Sequence, residues 1–204
     1  MRRPILSRVR REATTSLPTE AGHFTAIGYV DRRGTEHLAL VHGEPRSGIA
    51  MVRIHSECLT GDAFGSRRCD CGPQLQASMR AIVAEGSGAV IYLRDHEGRG
   101  IGLVNKLRAY AWQDRGLDTV DANLVLGLPV DARDYRSATA ILRDLGIEAV
   151  RLLTNNPEKV SAVAAAGIDI RERVALRIEP GLENVRYLRT KHARMGHLLG
   201  ASDA

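Results

Sequence analysis

From residue 89 onward the sequence alternates short apolar runs with longer amphipathic stretches, and that rhythm leaves few architectures open. Strands are expected at Ala89–Arg94, Ala149–Thr154 and Ile168–Val174, and helices at Gly102–Arg115, Tyr135–Leu145 and Pro157–Ala166. Such alternation builds an α/β sheet with helices laid on its faces. Before it, His23–Val30, His37–His42 and Ile49–His55 read as short strands separated by turns such as Asp31-Arg32-Arg33-Gly34. Gln74–Ala84 reads as a helix, with Pro73 in its first turn and Gly86 past its end. A last helix, Glu183–Leu199, is expected to end at Gly200 and to pack across the sheet.

With 204 residues, 44% of them hydrophobic, the chain can bury one substantial core, so residues 21–200 are expected to form a single folded unit. No apolar run approaches a membrane span, and Met1–Thr15 alternates arginines with single apolar residues where a secretory signal would need an apolar core. A cytoplasmic protein without a membrane partner is the expectation. The formal charge of +5 is matched by the five arginines at positions 2, 3, 8, 10 and 11. Residues 1–20 are therefore expected to be a flexible basic arm, and the aromatic content of 4% is too low for base stacking along a nucleic acid.

Cys58, Cys69 and Cys71 lie in one short stretch and cannot all pair as disulfides. Zinc takes four protein ligands in a closed structural site, but in a catalytic site keeps a position for water. Three cysteines without an evident fourth ligand suit the catalytic arrangement, with Arg53, Arg67, Arg68 and Arg99 as candidates to offset the thiolate charge. The alternatives are three buried thiols acting as small hydrophobes, or a structural zinc completed by His55 or His96. His55-Ser56-Glu57 imitates the H-x-E half of the zinc nucleobase deaminases, but their Pro-Cys-x-x-Cys half is missing.

Three further segments suit phosphate. Asp95-His96-Glu97-Gly98-Arg99-Gly100-Ile101-Gly102 joins a strand to a helix through a glycine-rich loop. Extended, that loop would put Glu97 and Arg99 on one side, a carboxylate for a base edge and a guanidinium for phosphate. Thr154-Asn155-Asn156-Pro157-Glu158-Lys159 follows a buried strand, where α/β proteins place ligands; Asn156 can cap the helix begun by Pro157, which leaves Thr154 and Lys159 as ligand candidates. Asp131 and Arg133 would also share a side in an extended segment, or form an ordinary salt bridge at a helix start.

Together these residues resemble GTP cyclohydrolase II from about His23 to Leu199. The resemblance rests on Arg53-Ile54-His55-Ser56-Glu57-Cys58-Leu59-Thr60-Gly61-Asp62, Arg68-Cys69-Asp70-Cys71-Gly72, Glu97-Gly98-Arg99-Gly100-Ile101-Gly102-Leu103, Lys106-Leu107-Arg108-Ala109-Tyr110, Asp131-Ala132-Arg133-Asp134 and Leu152-Leu153-Thr154-Asn155-Asn156-Pro157. It implies a three-layer α/β/α fold with a mixed sheet, a homodimer, and the monofunctional form without the dihydroxybutanone phosphate synthase domain that many relatives carry. It implies zinc on Cys58, Cys69 and Cys71, and GTP on Arg53, Ile54, His55, Ser56, Glu57, Gln74, Glu97, Gly98, Arg99, Thr119, Thr154 and Lys159. Asp131 would be the proton acceptor and Arg133 the nucleophile toward the α-phosphorus, although a guanidinium is almost wholly protonated and an electrostatic clamp is the competing role. The implied reaction opens the guanine ring at C8 with water activated at the zinc, Glu57 or Tyr110 assisting, and releases formate; Mg2+ accompanies the triphosphate as pyrophosphate leaves. Two other readings stand beside it: a secondary-metabolite paralogue that stops at the formamidopyrimidine, and a zinc-stabilised module binding RNA through the arginine arm.

Overall fold

The computed structural model describes residues 9–179 and 181–196. One mixed sheet of seven strands runs through it in the order β1-β2-β3-β5-β4-β6-β7. β1 (Arg10–Thr19), β2 (Gly22–Val30) and β3 (Glu36–His42) form an antiparallel meander that joins β5 (Gly88–Leu93), also antiparallel. Beyond it β5, β4 (Ile49–Ser56), β6 (Ala149–Leu153) and β7 (Asp169–Val174) are mutually parallel. The meander needs only tight turns, whereas each parallel pairing needs a crossover, which is why the helices fall in the second part of the chain.

The side chains of the central strands alternate between two cores. Ala50, Val52 and Ile54 of β4 join Ala89, Ile91 and Leu93 of β5 under α5 (Arg136–Asp144) and α6 (Pro157–Ala165), with Ile141, Leu142 and Val163 packed on them. Met51 and Val90 point the other way, to Met79 and Ile82 of α2 (Cys71–Glu85). The result is the expected three-layer α/β/α arrangement with a strand-rich N-terminal part. Helix α2 begins at Cys71, three residues before the expected start, and stops where Gly86 turns left-handed at φ 83°.

Three elements depart from the sequence reading. The expected flexible arm is corrected over residues 10–19, which pair with β2 from Arg10↔Val30 to Thr19↔Gly22 around a bulge between Arg11 and Ala13. Nearly every β1 residue is exposed, so no apolar alternation announces the strand; backbone pairing holds it, with Arg11 and the Tyr29 hydroxyl both on Asp144 at 2.7 Å. Residues 1–8 of the arm lie outside the described residues. A helix α4 (Thr119–Val125) follows α3 (Leu103–Gln113), capped by Asp118, whose carboxylate accepts from the Val120 and Asp121 amides. Finally, α7 (Val185–Met195) packs on α4, with Arg194 2.8 Å from Asp121, and so does not cross the sheet; the expected end at Gly200 lies outside the described residues.

The chain passes from β4 to β5 on one side, then returns past β4 to β6 on the other. Ligands of open α/β sheets sit at such a reversal, beyond the carboxyl ends of the strands. Those ends carry His55 and Ser56 from β4, Asp95 and His96 after β5, and Thr154 to Asn156 after β6.

Candidate active site

A cleft of about 980 Å3, partly open to solvent, occupies that position. At one end stand the three cysteines, their Sγ atoms all within 4.8 Å of one another. Cys58 comes from the loop after β4, Cys69 from the segment before α2, and Cys71 from the first turn of α2. The backbones close on each other at Gly61, where a Cβ would come within 2.8 Å of the Cys69 sulfur. Tetrahedral zinc at thiolate distances requires sulfurs about 3.8 Å apart; Cys58 and Cys69 are 3.7 Å apart. Neither His55 nor His96 joins the group, so among the described residues the cluster offers three ligands. The thiols compete for protons: hydrogen bonds from Cys69 and Cys71, helped by the Lys106 ammonium, push Cys58 far below the ordinary thiol range, while the bond to Cys58 pushes Cys69 up to about 11.

Of the arginines expected to offset the thiolate charge, Arg53 interacts with Cys71, and a lysine joins it. Lys106 of α3 puts Nζ 3.1 Å from Cys58 Sγ, 2.8 Å from Thr60 Oγ1 and 2.5 Å from Glu97 Oε1. Of the expected arginines, Arg67 pairs with Glu183, and Arg68 reaches Asp114 and lies over the Tyr110 ring.

Other lining side chains are cationic. Arg99 sits at φ 66°, an unusual conformation for a residue with a side chain, and both terminal nitrogens of its guanidinium are buried without a protein partner. Arg133 is gripped by Asp131, Nε lying 2.9 Å from Oδ1, with Nη2 on Oδ2. Burial works against the Arg133 charge, but Asp131 and the neighbouring Tyr135 raise its pKa above that of free arginine. Lys159 donates to the Ile54 carbonyl at 2.9 Å. Asn156 caps α6 by accepting the Glu158 amide at 3.0 Å, which leaves its buried Nδ2 with no partner. Unpaired buried donors on one wall are what an anion would satisfy.

The sequence profile of the family described as GTP cyclohydrolase II matches residues 10–175. A protein of Neisseria gonorrhoeae named GTP cyclohydrolase-2 is 57% identical over 92% of this chain and 95% of its own length. This chain belongs to the GTP cyclohydrolase II family. A GTP cyclohydrolase-2 of Streptomyces coelicolor is 56% identical over 96% of this chain and 89% of its own. The Salinispora tropica riboflavin biosynthesis protein RibBA is 55% identical over 98% of this chain, which spans 50% of it. A solved structure of RibBX, a two-domain 3,4-dihydroxy-2-butanone 4-phosphate synthase from A. baumannii, gives a TM-score of 0.46 at 23% identity, covering 83% of this chain and 40% of that one.

Against the residues that the family resemblance singles out, the cleft brings together Arg53, His55, Ser56, Glu57, Gln74, Gly98, Arg99, Tyr110, Thr119, Arg133, Thr154 and Lys159 with the three cysteines. Three others stand behind the wall. Ile54 is a core side chain that contributes its carbonyl to Lys159, Asp131 backs Arg133, and the Glu97 carboxylate turns inward to Lys106 and the Leu59 amide. Gln74 faces the cleft, but both ends of its amide are engaged, by Arg53 at 2.6 Å and Asp70 at 2.5 Å. Glu57 accepts the Asp95 amide at 2.9 Å. Sequence reasoning missed Lys106 as a neighbour of the sulfurs, and Asn123, Gln113 and Tyr187 as wall residues. His96, an alternative fourth zinc ligand in the sequence reading, instead donates its Nε2–H to the Asp134 carbonyl at 3.0 Å, so Nδ1 accepts from the Ser56 hydroxyl at 3.1 Å.

Proposed function

We propose that this chain hydrolyses GTP to 2,5-diamino-6-hydroxy-4-(5-phosphoribosylamino)pyrimidine, formate and pyrophosphate, the first step of riboflavin biosynthesis. The observation that carries the reading is one cleft lined both by a three-thiol cluster and by buried donors of Arg99 and Asn156 that have no protein partner. Zinc held by Cys58, Cys69 and Cys71 would supply an acidified water for hydrolysis at the purine ring. Mg2+ would enter on the triphosphate, since among the described residues the only three-ligand group is the cysteines.

The side chains divide the work. Arg99, Arg133, Lys159 and the Asn156 amide hold the phosphates and stabilise charge as pyrophosphate departs. With Asp131 clamped on its guanidinium, Arg133 is firmly a cation, which supports the electrostatic role over a nucleophilic one. Arg53 and Glu57 face the base, and Tyr110, beside the sulfurs, completes the second hydrolysis. We further propose a cytoplasmic homodimer; among the described residues no helix is long and apolar enough to cross a membrane. Incubating the protein with GTP, Zn2+ and Mg2+ and identifying products by mass spectrometry tests the reading. Equimolar formate and pyrophosphate are expected. A formamidopyrimidine end product would point to the secondary-metabolite paralogue, and unchanged GTP would overturn the assignment.

A further inference from the structure

Asp62, at the end of the short helix α1 (Leu59–Asp62), organises the cysteine end of the cleft. Its Oδ2 accepts the Cys58 amide at 3.0 Å and the Tyr92 hydroxyl at 2.9 Å, while His55 Nε2 lies 3.1 Å from both carboxylate oxygens. An ionised carboxylate only accepts, so Nε2 must carry the hydrogen, and the neutral ring is left with a bare lone pair on Nδ1. That atom is buried without a partner, on a residue 1% exposed that lines the cleft. The other unpartnered buried atoms on the cleft wall, on Arg53, Arg99 and Asn156, are donors; among the described residues His55 Nδ1 is the acceptor. Stacking on Tyr92, with ring centroids 5.4 Å apart, holds the imidazole plane. Burial, together with the charges of Arg53 and Lys159, keeps the ring neutral against the pull of Asp62.

We propose that His55, held by Asp62 in the Nε2–H tautomer, takes the proton from the water that attacks guanine C8 and returns it to N7. The step rests on the cyclohydrolase reading above. One O–H bond of water breaks as the O–C8 bond forms, the C8=N7 π pair moves onto N7, and the proton carried on Nδ1 follows it there. Water has then added across the double bond, and His55 is neutral again. No oxidant or reductant is needed. His55 is the catalytic residue of this step and Asp62 its positioning residue, sharing one carboxylate between the imidazole and the backbone of Cys58.

The test follows from the asymmetry of the carboxylate. Oδ2 holds two donors and Oδ1 faces only the imidazole, so in Asp62→Asn the amide oxygen takes the place under the Cys58 N–H and Tyr92 O–H, and the NH2 turns to Nε2. The ring must then carry its hydrogen on Nδ1 and can no longer accept. Nitrogen-15 NMR of the zinc-loaded protein should show the Nε2–H form in wild type and the Nδ1–H form in Asp62→Asn. The kcat for formate release should fall on the order of 100- to 10,000-fold, with KM and zinc content held within a few-fold. His55→Ala should lose as much and recover part of it with added imidazole. An Nδ1–H wild type overturns the proposal. So does an Asp62→Asn protein with the switched tautomer and wild-type kcat, or a His55→Ala protein that releases formate normally. If Asp62→Asn fails to fold, the wild-type spectrum and His55→Ala still decide. A wild type that releases no formate from GTP overturns the cyclohydrolase reading and this step with it; active wild type with equally active variants overturns this step alone.

Discussion

At the scale of single residues, Lys106 shows how much one charge is asked to do. It is the cation for both Cys58 and the buried Glu97 carboxylate, whose side chain is 8% exposed. Removing one partner of such a pair leaves an uncompensated buried charge, at a cost of about 3–5 kcal/mol. Lys106→Met should therefore lower the urea unfolding free energy by that order, and adding Glu97→Gln should restore most of it; equal losses in the single and double variants would show that the pair is not what matters. Cys69→Ser replaces a thiolate by a neutral hydroxyl and should strip zinc, with metal analysis dropping from about one ion per chain toward none. Tyr110 lies under the Arg68 guanidinium, 4.8 Å from its ring centroid, and borders the sulfurs. If its hydroxyl orients the second hydrolysis, Tyr110→Phe should accumulate a formylated pyrimidine. Unchanged formate release would reduce Tyr110 to a packing role.

Elements matter here through the loops that they hold. The loop after β5 is tied to the Asp131–Arg133 segment by His96, which bridges Ser56 and the Asp134 carbonyl, and by the Ala132 amide on the Arg99 carbonyl at 2.9 Å. Gly100, at φ 87°, lets those backbones meet: a Cβ there would stand 3.1 Å from the Ala132 carbonyl carbon. Burial first, then Arg133 and Lys159, lower the His96 pKa to about 4. In the unfolded chain it titrates near 6.5, so between these values the unfolded state binds more protons. Stability from this group is therefore present above pH 6.5 and lost as pH falls toward 4, by at most about 3 kcal/mol. Urea midpoints measured from pH 7.5 to 4.5 should fall less steeply in His96→Asn than in wild type. Parallel slopes would mean that other groups carry the acid sensitivity.

On the scale of the whole molecule, the proposed reaction would use two electrophiles within one cleft at the sheet reversal. The cysteines come from the loop after β4, the segment before α2 and α2 itself, while Arg99, Arg133 and Lys159 come from the loop after β5, the segment before α5 and α6. Losing the metal should remove the means of attacking C8 and leave the groups that hold phosphate. Folded Cys71→Ser is accordingly expected to yield GMP and pyrophosphate from GTP without formate, while Arg133→Ala should lose pyrophosphate release. A Cys71→Ser protein that binds GTP but releases neither product would show that the metal also positions the triphosphate.

The parallel half of the fold and the convergence of the cysteines were legible in the sequence because each is locally encoded: an apolar period, a capping residue before Pro157, cysteines close along the chain; the loop expected to be extended around Glu97 and Arg99 is instead a 3-10 turn with Arg99 at φ 66°. What the sequence could not say is which way a long side chain turns once its neighbours are in place. Glu97, expected at a base edge, and Gln74, expected to bind GTP, are drawn to Lys106 and to Asp70 and Arg53. Strand β1 was unreadable for the same reason, since exposed polar residues carry no alternation and only β2 makes them a strand. The single lone pair of His55 is likewise a tertiary fact. It exists because Asp62, seven residues away and on another element, takes the other nitrogen. Sequence determined which chemical groups are present and roughly where the chain bends; packing decided which of them spend their hydrogen bonds on each other and which are left to face a substrate.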